Sequence, residues 1–295
     1  MKDSYRQVSL SRLCRLLGIT RQAFYQHFWC VSDCNTQQQI VLQQVHDIRQ
    51  LHPVMGCRKL YCMLQPFLME HQIKIGRDAL FDLLADNKLL VRRKRRRINT
   101  THSNHWLKKY PNLVKNWKPS SPQQLWVADI TYVPVSTGFL YLNLITDAYS
   151  HKVVGYHIGE NLGTVNTLKA LKMAIQTNPN TKGLIHHSDR GIQYCSSEYV
   201  NFLQQHHIQI SMTESGDPLE NALAERINGI VKNEYLKHSH IKSYPHALQL
   251  VETAISRYNC QRPHFSINLL TPSLVHELKI PVNRTWSKKL NIVNQ

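Results

Sequence analysis

Residues 125–147 read LWVADITYVPVSTGFLYLNLITD, and this stretch predicts how the larger part of the chain folds. Two runs rich in β-branched and aromatic residues, 125–135 and 139–146, are separated by Ser-Thr-Gly at 136–138, a connection typical of a hairpin. The run 152–158 has the same character and is a third strand candidate. Three consecutive strands with short connections predict an antiparallel meander.

Helices and strands alternate downstream of this meander. Helical periodicity covers 165–175, 197–206, 219–237 and 245–258, and short apolar runs at 183–187 and 208–212 read as buried strands. A meander followed by alternating helices and strands predicts an α/β fold, with a mixed five-stranded sheet flanked by helices.

The first residues of the chain predict a helix-turn-helix. Val8 to Phe28 has apolar residues at helical spacing, interrupted by Gly18 and resumed after Thr20, a residue type that caps helix N-termini well. The second helix would then present Arg21 and Gln22 to DNA base edges. A plain helical hairpin packed on a neighbouring element fits the same pattern.

A second helical module follows and ends in six consecutive cations. We define the basic tract as Arg92, Arg93, Lys94, Arg95, Arg96 and Arg97. A solvated surface usually mixes both signs of charge, so an unbroken run predicts contact with DNA phosphates. A localisation signal or a solubilising tail is the alternative.

Composition shifts divide the chain into five predicted segments. They are a helix-turn-helix segment at 1–36, a basic helical module at 37–98, a linker at 99–123, an α/β core at 124–285 and a tail at 286–295. The linker prediction rests on the loss of periodicity and the gain of Asn, Thr, Ser, Pro and Lys.

The overall charge predicts a polyanionic partner. Thirty-six Lys and Arg against 19 Asp and Glu give a formal charge of +17, more than solubility requires, so nucleic acid ranks ahead of an anionic membrane surface. Seven scattered cysteines predict reduced thiols, and no zinc site is expected. The apolar stretches are too short to span a bilayer and no signal peptide is evident, so we expect a soluble protein.

Three acidic residues stand where this fold would bring them together. Asp129 lies in the first strand between apolar neighbours, where a carboxylate is costly unless it is paired or binds metal. Asp189 follows the strand at 183–187, where ligand-binding groups of α/β sheets usually lie, and Glu225 lies on a helix. Each alone could be a cap or a surface charge. Together they are the ligands that two Mg²⁺ or Mn²⁺ ions require.

The predicted helix around Glu225 carries two further polar residues on nearly the same face. At about 100° per residue, Asn221 lies one turn before Glu225 and Lys232 two turns after it. An amide and a cation in line with a metal ligand could hold DNA phosphate and base edges, so both residues are DNA-binding candidates.

Several ordered motifs carry a family resemblance. They are WVADITYV at 126–133, HSDRGIQY at 187–194, GDPLENALAERINGIVKNE at 216–234, and YNCQRPH at 258–264 followed by Thr271 and Pro272. The chain resembles the larger, catalytic reading frame of the insertion-sequence-three family of bacterial transposases, whose core is similar to retroviral integrase. Residues 51–98 also resemble the basic helical module that precedes the core in that family.

The resemblance implies a ribonuclease-H-like core that cleaves DNA strands and transfers them to a target. Asp129, Asp189 and Glu225 would be its Asp-Asp-Glu triad, with two Mg²⁺ or Mn²⁺ ions bridged by Asp129. Arg262, in the tail motif, would be a DNA-contact candidate, although a packing motif that closes the core fits equally well. Arg226 and Ile227 differ from many relatives, and the retroviral zinc-binding pattern is absent.

The resemblance also implies partners and alternatives. The partners would be double-stranded DNA, both element ends and target, and further copies of the chain, with a possible partner or fusion from an upstream reading frame. The location would be the bacterial cytoplasm, at the nucleoid. A domesticated DNA-binding regulator and a ribonuclease-H-like nuclease are the alternatives. The intact triad argues against the first, and the DNA-binding helical modules argue against the second.

Overall fold

The computed structural model describes residues 8–91, 106–115, 117–135, 138–214, 221–237, 239 and 241–282, without the side chains of residues 28 and 30–35. The chain forms two compact units, one from residues 1–50 and 63–90 and the other from residues 51–62 and 91–295. The basic tract and the predicted tail at 286–295 lie outside the described residues. No helix within the described ranges is long and apolar enough to cross a membrane.

Four helices precede the sheet: α1 (Leu10–Leu16), α2 (Arg21–Leu51), α3 (Cys57–Glu70) and α4 (Arg77–Asp86). Thr20 caps α2 as predicted, because its Oγ1 accepts a hydrogen bond from the Ala23 N–H at 3.0 Å. The expected end of this helix at Phe28 is wrong. Helix α2 runs unbroken for 31 residues, through the predicted segment boundary at 36, because no Gly or Pro interrupts it.

Five strands form one mixed sheet: β1 (Leu125–Val135), β2 (Gly138–Asp147), β3 (Val153–Gly159), β4 (Ile185–Ser188) and β5 (Gln209–Met212). Their order is β3-β2-β1-β4-β5. Strands β1 to β3 are antiparallel, whereas β4 is parallel to β1 and β5 is parallel to β4. This is the predicted ribonuclease-H-like arrangement. The first and last residues of every strand lie within two residues of the predicted limits.

Helices cover both faces of the sheet: α5 (Thr164–Thr177), α6 (Ile192–Cys195), α7 (Ser197–Gln205), α8 (Ala222–Ile230), α9 (Tyr244–Cys260) and α10 (Pro272–Leu278). The two-residue alternation of β1 sends Trp126 and Ala128 into the core that contains α5 and α7. Val127 packs instead with Ala224 of α8. Asp129, two residues further along β1, therefore points towards α8.

The predicted linker at 99–123 is packed on the sheet where the structure describes it. The Pro111 carbonyl accepts a hydrogen bond from the Met212 N–H at 3.3 Å, and the Leu113 N–H donates to Ser211 Oγ at 2.9 Å. Both partners belong to β5, the strand at the edge of the sheet. The segment thus covers an edge whose backbone groups would otherwise be open to pairing.

Candidate active site

Asp129 lies in β1, and Asp189 follows directly after β4, the strand parallel to β1. Val127 lies opposite His187 in this parallel pair, and each aspartate lies two residues further along its chain segment. The charge of Asp189 contributes to the raised pKa of Asp129, so the two carboxylates lie near each other. Asp189 Oδ1 accepts a hydrogen bond from the Gly191 N–H at 3.0 Å. A Cβ at residue 191 would lie 3.0 Å from that same oxygen, so glycine permits this close turn.

Helix α8 is bonded to β1 on either side of Glu225. The Asn221 amide, at the N-cap, donates to the Ala128 carbonyl at 3.1 Å, and the Asn228 amide donates to Asp129 Oδ2 at 2.7 Å. Glu225 follows Asn221 by four residues and precedes Asn228 by three, so it lies on the same helix face. Its side chain remains exposed at the surface. The helix thus carries the third carboxylate to the strand that holds the first.

Electrostatic repulsion acts among the three carboxylates. Burial raises the pKa of Asp129 to about 7, with further contributions from the charges of Asp189 and, more weakly, Glu225. Burial and the charge of Asp189 also raise the pKa of Glu225. Asp129 lies deep among protein atoms yet keeps part of its surface accessible. This crowding of negative charge disfavours the fully ionised site until a cation enters it.

The donor set fits divalent cations that prefer oxygen ligands. Among the described residues, no three His, Cys, Asp or Glu side chains converge tightly enough to hold one ion. A two-ion site does not need such a group, because each ion can take two of the three carboxylates and complete its shell with other oxygens. The Oδ1 atoms of Asn221 and Asn228 are also buried and have no hydrogen-bond partner among the residues that the structure describes. A hydrated cation would bring donors to them.

Comparison with known proteins identifies the family. Two family models described as "Integrase core domain" match residues 119–218 and 206–272. The insertion element IS600 uncharacterized 31 kDa protein of Shigella sonnei is 35% identical over 271 residues, which cover 90% of this chain and 97% of the relative. The transposase for insertion sequence element IS629, also of Shigella sonnei, is 30% identical over 221 residues, 75% of this chain and 72% of the relative.

A third relative, transposase InsF for insertion sequence IS3fB of Escherichia coli strain K12, is 27% identical over 240 residues, 80% of this chain and 83% of the relative. The chain belongs to the insertion-sequence-three family of transposases. The integrase-type core and the ribonuclease-H-like fold predicted from the sequence are thereby confirmed.

Arg262 of this transposase is buried and paired, which argues against the DNA contact that was one of the two predictions for it. The residue is 2% exposed, and its guanidinium forms two hydrogen bonds with the Glu234 carboxylate, at 2.7 and 2.8 Å. The nitrogen that does not bond Glu234 lies 2.9 Å from His264 Nε2. The packing motif, the other interpretation of the tail, is the one that these contacts support.

The other DNA-binding candidates have varied surroundings. Arg21 and Gln22 are exposed at the start of α2. Lys232 is half-buried in a π-helical segment, Val231–Leu236, that continues α8, and burial lowers its pKa, with a smaller effect from Lys237. Asn221 is buried and its amide nitrogen is committed to β1, so its observed contacts fasten the helix. DNA binding by Arg21, Gln22, Lys232 and the basic tract stays a prediction.

Two histidines beside Asp189 have structural partners in the transposase. His186 Nε2 lies 3.0 Å from the Tyr199 hydroxyl, and His187 Nδ1 lies 2.8 Å from Ser211 Oγ. Both rings are buried. Burial lowers the pKa of His186 to about 3, with a smaller effect from His187, so its ring is neutral near pH 7. These contacts fix the neighbouring strands and helix around the site.

Asn228 is the residue of the site that the sequence analysis did not single out. Its hydrogen bond to Asp129 makes it the helix residue in direct contact with the buried carboxylate. A signal was present, because Asn228 follows Glu225 by three residues and so shares its helix face. Spacings of four and seven residues from Glu225 pointed to Asn221 and Lys232, whereas Asn228 lies at a spacing of three.

Proposed function

We propose that this transposase cuts DNA strands at the ends of its element and joins them to target DNA, with the triad Asp129, Asp189 and Glu225 holding two Mg²⁺ or Mn²⁺ ions. The observation that carries the proposal is the mutual charge effect of the three carboxylates, since burial and the charge of Asp189 raise the pKa of both Asp129 and Glu225. Hydrogen bonds from Asn221 and Asn228 hold the helix of Glu225 against β1, the strand of Asp129.

Each carboxylate has a distinct task in this proposal. Asp129 lies on β1 and is hydrogen-bonded to Asn228 of α8, the helix of Glu225, and it would be shared by the two cations. Asp189 and Glu225 would each complete one side. When bound, the ions supply activation of a water or a 3′ hydroxyl and stabilisation of the leaving oxygen, so no covalent protein nucleophile is required.

The DNA would be held by cations outside the triad. Lys232, seven residues after Glu225 in the chain, would neutralise a phosphate near the reacting strand. Burial disfavours the charged form of the Lys232 amine, and a phosphate beside it would favour that form. The basic tract would follow the backbone, and Arg21 and Gln22 would contact base edges at the element ends. We further propose that copies of the chain assemble on DNA in the bacterial nucleoid, with or without an upstream-frame protein.

A strand-transfer assay tests the proposal. Purified full-length protein is incubated with a labelled duplex of the element end and a supercoiled target plasmid, in Mg²⁺, Mn²⁺, Ca²⁺ or chelator. We expect joined products in Mg²⁺ and Mn²⁺ and none in Ca²⁺ or chelator, because Ca²⁺ takes a looser coordination geometry. Undiminished joining in chelator would overturn the proposal.

The same assay separates the proposal from its two alternatives. A DNA-binding regulator would shift the mobility of the end duplex without cutting it in any metal. A ribonuclease-H-like nuclease would degrade an RNA–DNA hybrid in Mg²⁺ without joining the end duplex to the plasmid. Either result, with the labelled duplex left intact and unjoined, would favour that alternative activity over the transposase reaction.

A further inference from the structure

Asn228 is placed to control the orientation of the Asp129 carboxylate. Its side chain is 3% exposed, and its amide donates to Asp129 Oδ2 at 2.7 Å. The Ile130 N–H donates to the other carboxylate oxygen, Oδ1, at 2.9 Å. Each oxygen of Asp129 therefore has one protein donor, which fixes the rotation of the carboxylate. Because a carboxylate offers about four acceptor positions, both oxygens keep capacity for further ligands.

The contact of Asn228 differs from that of the other asparagine on α8. Asn221 bonds to main-chain groups, with its amide donating to the Ala128 carbonyl of β1 and its own main-chain carbonyl accepting from the Glu225 N–H at 3.2 Å, and so fastens the helix. Asn228 bonds to the side chain that the proposed ions would share. Between them these contacts set the separation of Glu225 from the strand, but the orientation of Asp129 depends on Asn228.

The amide oxygen of the Asn228 side chain, Oδ1, is a buried hydrogen-bond acceptor. This atom has no hydrogen-bond partner in the described part of the chain. A buried carbonyl oxygen without a donor is unfavourable, and natural proteins satisfy most such atoms with protein or solvent. A hydrated cation held by Asp129 would bring donors to the place where this acceptor lies.

We propose that Asn228 is a positioning residue for the metal site. Its amide holds Asp129 so that the remaining acceptor positions of the carboxylate are open to a divalent cation, and its Oδ1 accepts a hydrogen bond from the hydration shell of that cation. The inference rests on the proposed function, since Asp129 binds a cation only there. It adds a residue whose effect on metal affinity is exerted through Asp129.

Direct metal binding is the test, without DNA or catalysis. Mn²⁺ is titrated into the full chain, and free Mn²⁺ is measured by electron paramagnetic resonance. Asn228→Ala is expected to bind Mn²⁺ about 10- to 100-fold more weakly than the unaltered chain, the usual effect of removing a group that orients a metal ligand. Asn228→Leu fills the same space without hydrogen bonding and should weaken binding by a similar factor.

Asn233→Ala is the matched control. This exposed asparagine follows Asn228 by five residues, and its amide bonds to the Gly229 carbonyl at 2.7 Å, within its own helix. Its removal should leave Mn²⁺ affinity unchanged. Thermal unfolding in chelator checks that each variant is folded, and the titration reports the affinity of the folded fraction even when the yield of a variant is low.

The outcomes distinguish this inference from the function on which it rests. If the unaltered chain binds Mn²⁺, Asp129→Asn does not, and both Asn228 variants bind like the unaltered chain, the inference is wrong and the proposed function stands. If Asp129→Asn binds Mn²⁺ as well as the unaltered chain, the proposed metal site itself fails. Weaker binding by both Asn228 variants, with Asn233→Ala unchanged, supports the inference.

Discussion

At the residue scale, the charge of Asp129 is costly to the metal-free protein. The carboxylate is surrounded by protein, and Asp189 and Glu225 add repulsion, which together raise its pKa to about 7. Hydrogen bonds from Asn228 and Ile130 offset only part of this effect. Proteins commonly give up stability where a site is arranged for a ligand or a reaction. The triad of this transposase has that character.

Replacing Asp129 by Asn should therefore stabilise the protein in chelator. The substitution removes the charge, nearly keeps the volume and leaves an acceptor for the Asn228 amide. We expect the Tm at pH 7.5 to rise by a few degrees, since about 1 kcal/mol shifts the Tm of a domain of this size by about 2–4 °C. Differential scanning calorimetry measures it. Glu252→Gln, which neutralises an exposed carboxylate on α9, should change the Tm little. A lower Tm for Asp129→Asn alone would contradict this account of the site.

Residue chemistry could be predicted from the sequence only where local context constrains it. Asp129 and Asp189 were identifiable because they lie within or directly after an apolar strand, where burying a carboxylate is costly unless it is paired or binds a metal. The motif that contains Arg262 gave no such constraint. An arginine fits a DNA surface as well as a buried pair, and the choice depends on Glu234, which is 28 residues away in the chain. Its burial became evident only in the folded structure.

At the element scale, the helix of Glu225 changes its geometry after Ile230. Residues Val231–Leu236 form a π-helix, in which the Lys237 N–H donates to the Lys232 carbonyl at 2.8 Å. Within this segment Glu234 pairs with Arg262, and the Tyr235 hydroxyl lies 2.9 Å from His52 Nδ1. A single regular helix was predicted for 219–237. The wider turn was not predictable, because its partners come from distant parts of the chain.

Breaking the buried ion pair within this element from one side should strongly destabilise the protein. Glu234→Gln would leave the Arg262 guanidinium, which is 2% exposed, without its counter-charge. We expect the free energy of unfolding to fall by about 3–5 kcal/mol, the usual cost of breaking a buried pair from one side. Urea denaturation measures this change. The control is Glu277→Gln in the pair with Lys152, whose carboxylate is 64% exposed, where the loss should stay below about 1 kcal/mol. Equal losses would show that burial is not the determining factor.

The limits of the strands and of the predicted core helices agree closely with the structure, whereas those of α2 do not. Alternation between two faces and short apolar runs are local properties, so each strand of the sheet could be located from its own residues. The length of α2 depended on the absence of a breaker between Arg21 and Leu51, and the weak amphipathic pattern there suggested two helices. Helix continuity is the default when neither Gly nor Pro intervenes.

At the scale of the whole molecule, buried histidines make stability depend on pH. Burial, helped by the charges of Arg257 and Arg262, lowers the pKa of His52 to about 4. Burial also lowers the pKa of His186 to about 3 and that of His264 further. The unfolded chain binds protons at these groups below about pH 6.5, where the folded chain does not. Their contribution is therefore complete above pH 6.5 and is lost as the pH falls towards 4.

We accordingly expect the free energy of unfolding in chelator to be lower at pH 5 than at pH 7.5. Asp129 and Glu225 act in the opposite direction because their pKa values are raised, but three histidines should outweigh two carboxylates. Denaturant titrations at four pH values between 5 and 7.5 measure the slope of the free energy of unfolding against pH. His52→Gln should flatten it, while His71→Gln, at an exposed position, should not. A free energy of unfolding that increases as the pH falls from 7.5 to 5 would refute the assignment of these rings as buried and neutral.

The formal charge of +17 predicts binding to DNA that depends strongly on salt. If the basic tract contacts phosphates, log affinity should fall linearly with log salt, by about 0.9 per neutralised phosphate. Replacing all six residues by Gln should flatten the slope by several units and weaken binding to specific and random DNA alike. Replacing Arg21 and Gln22 should instead reduce discrimination between the two DNAs. An unchanged slope in the six-Gln variant would make the tract a solvated tail.

The central claim is that Asp129, Asp189 and Glu225 act together in DNA cleavage and joining. The most direct measurement is strand transfer in Mg²⁺ by Asp129→Asn, Asp189→Asn and Glu225→Gln, with binding to the end duplex measured on the same preparations. Each change removes the charge of one carboxylate with little change of volume. We predict that all three variants bind DNA as the unaltered chain does and form no cleaved or joined product. Near-normal joining by any one of them would contradict the account.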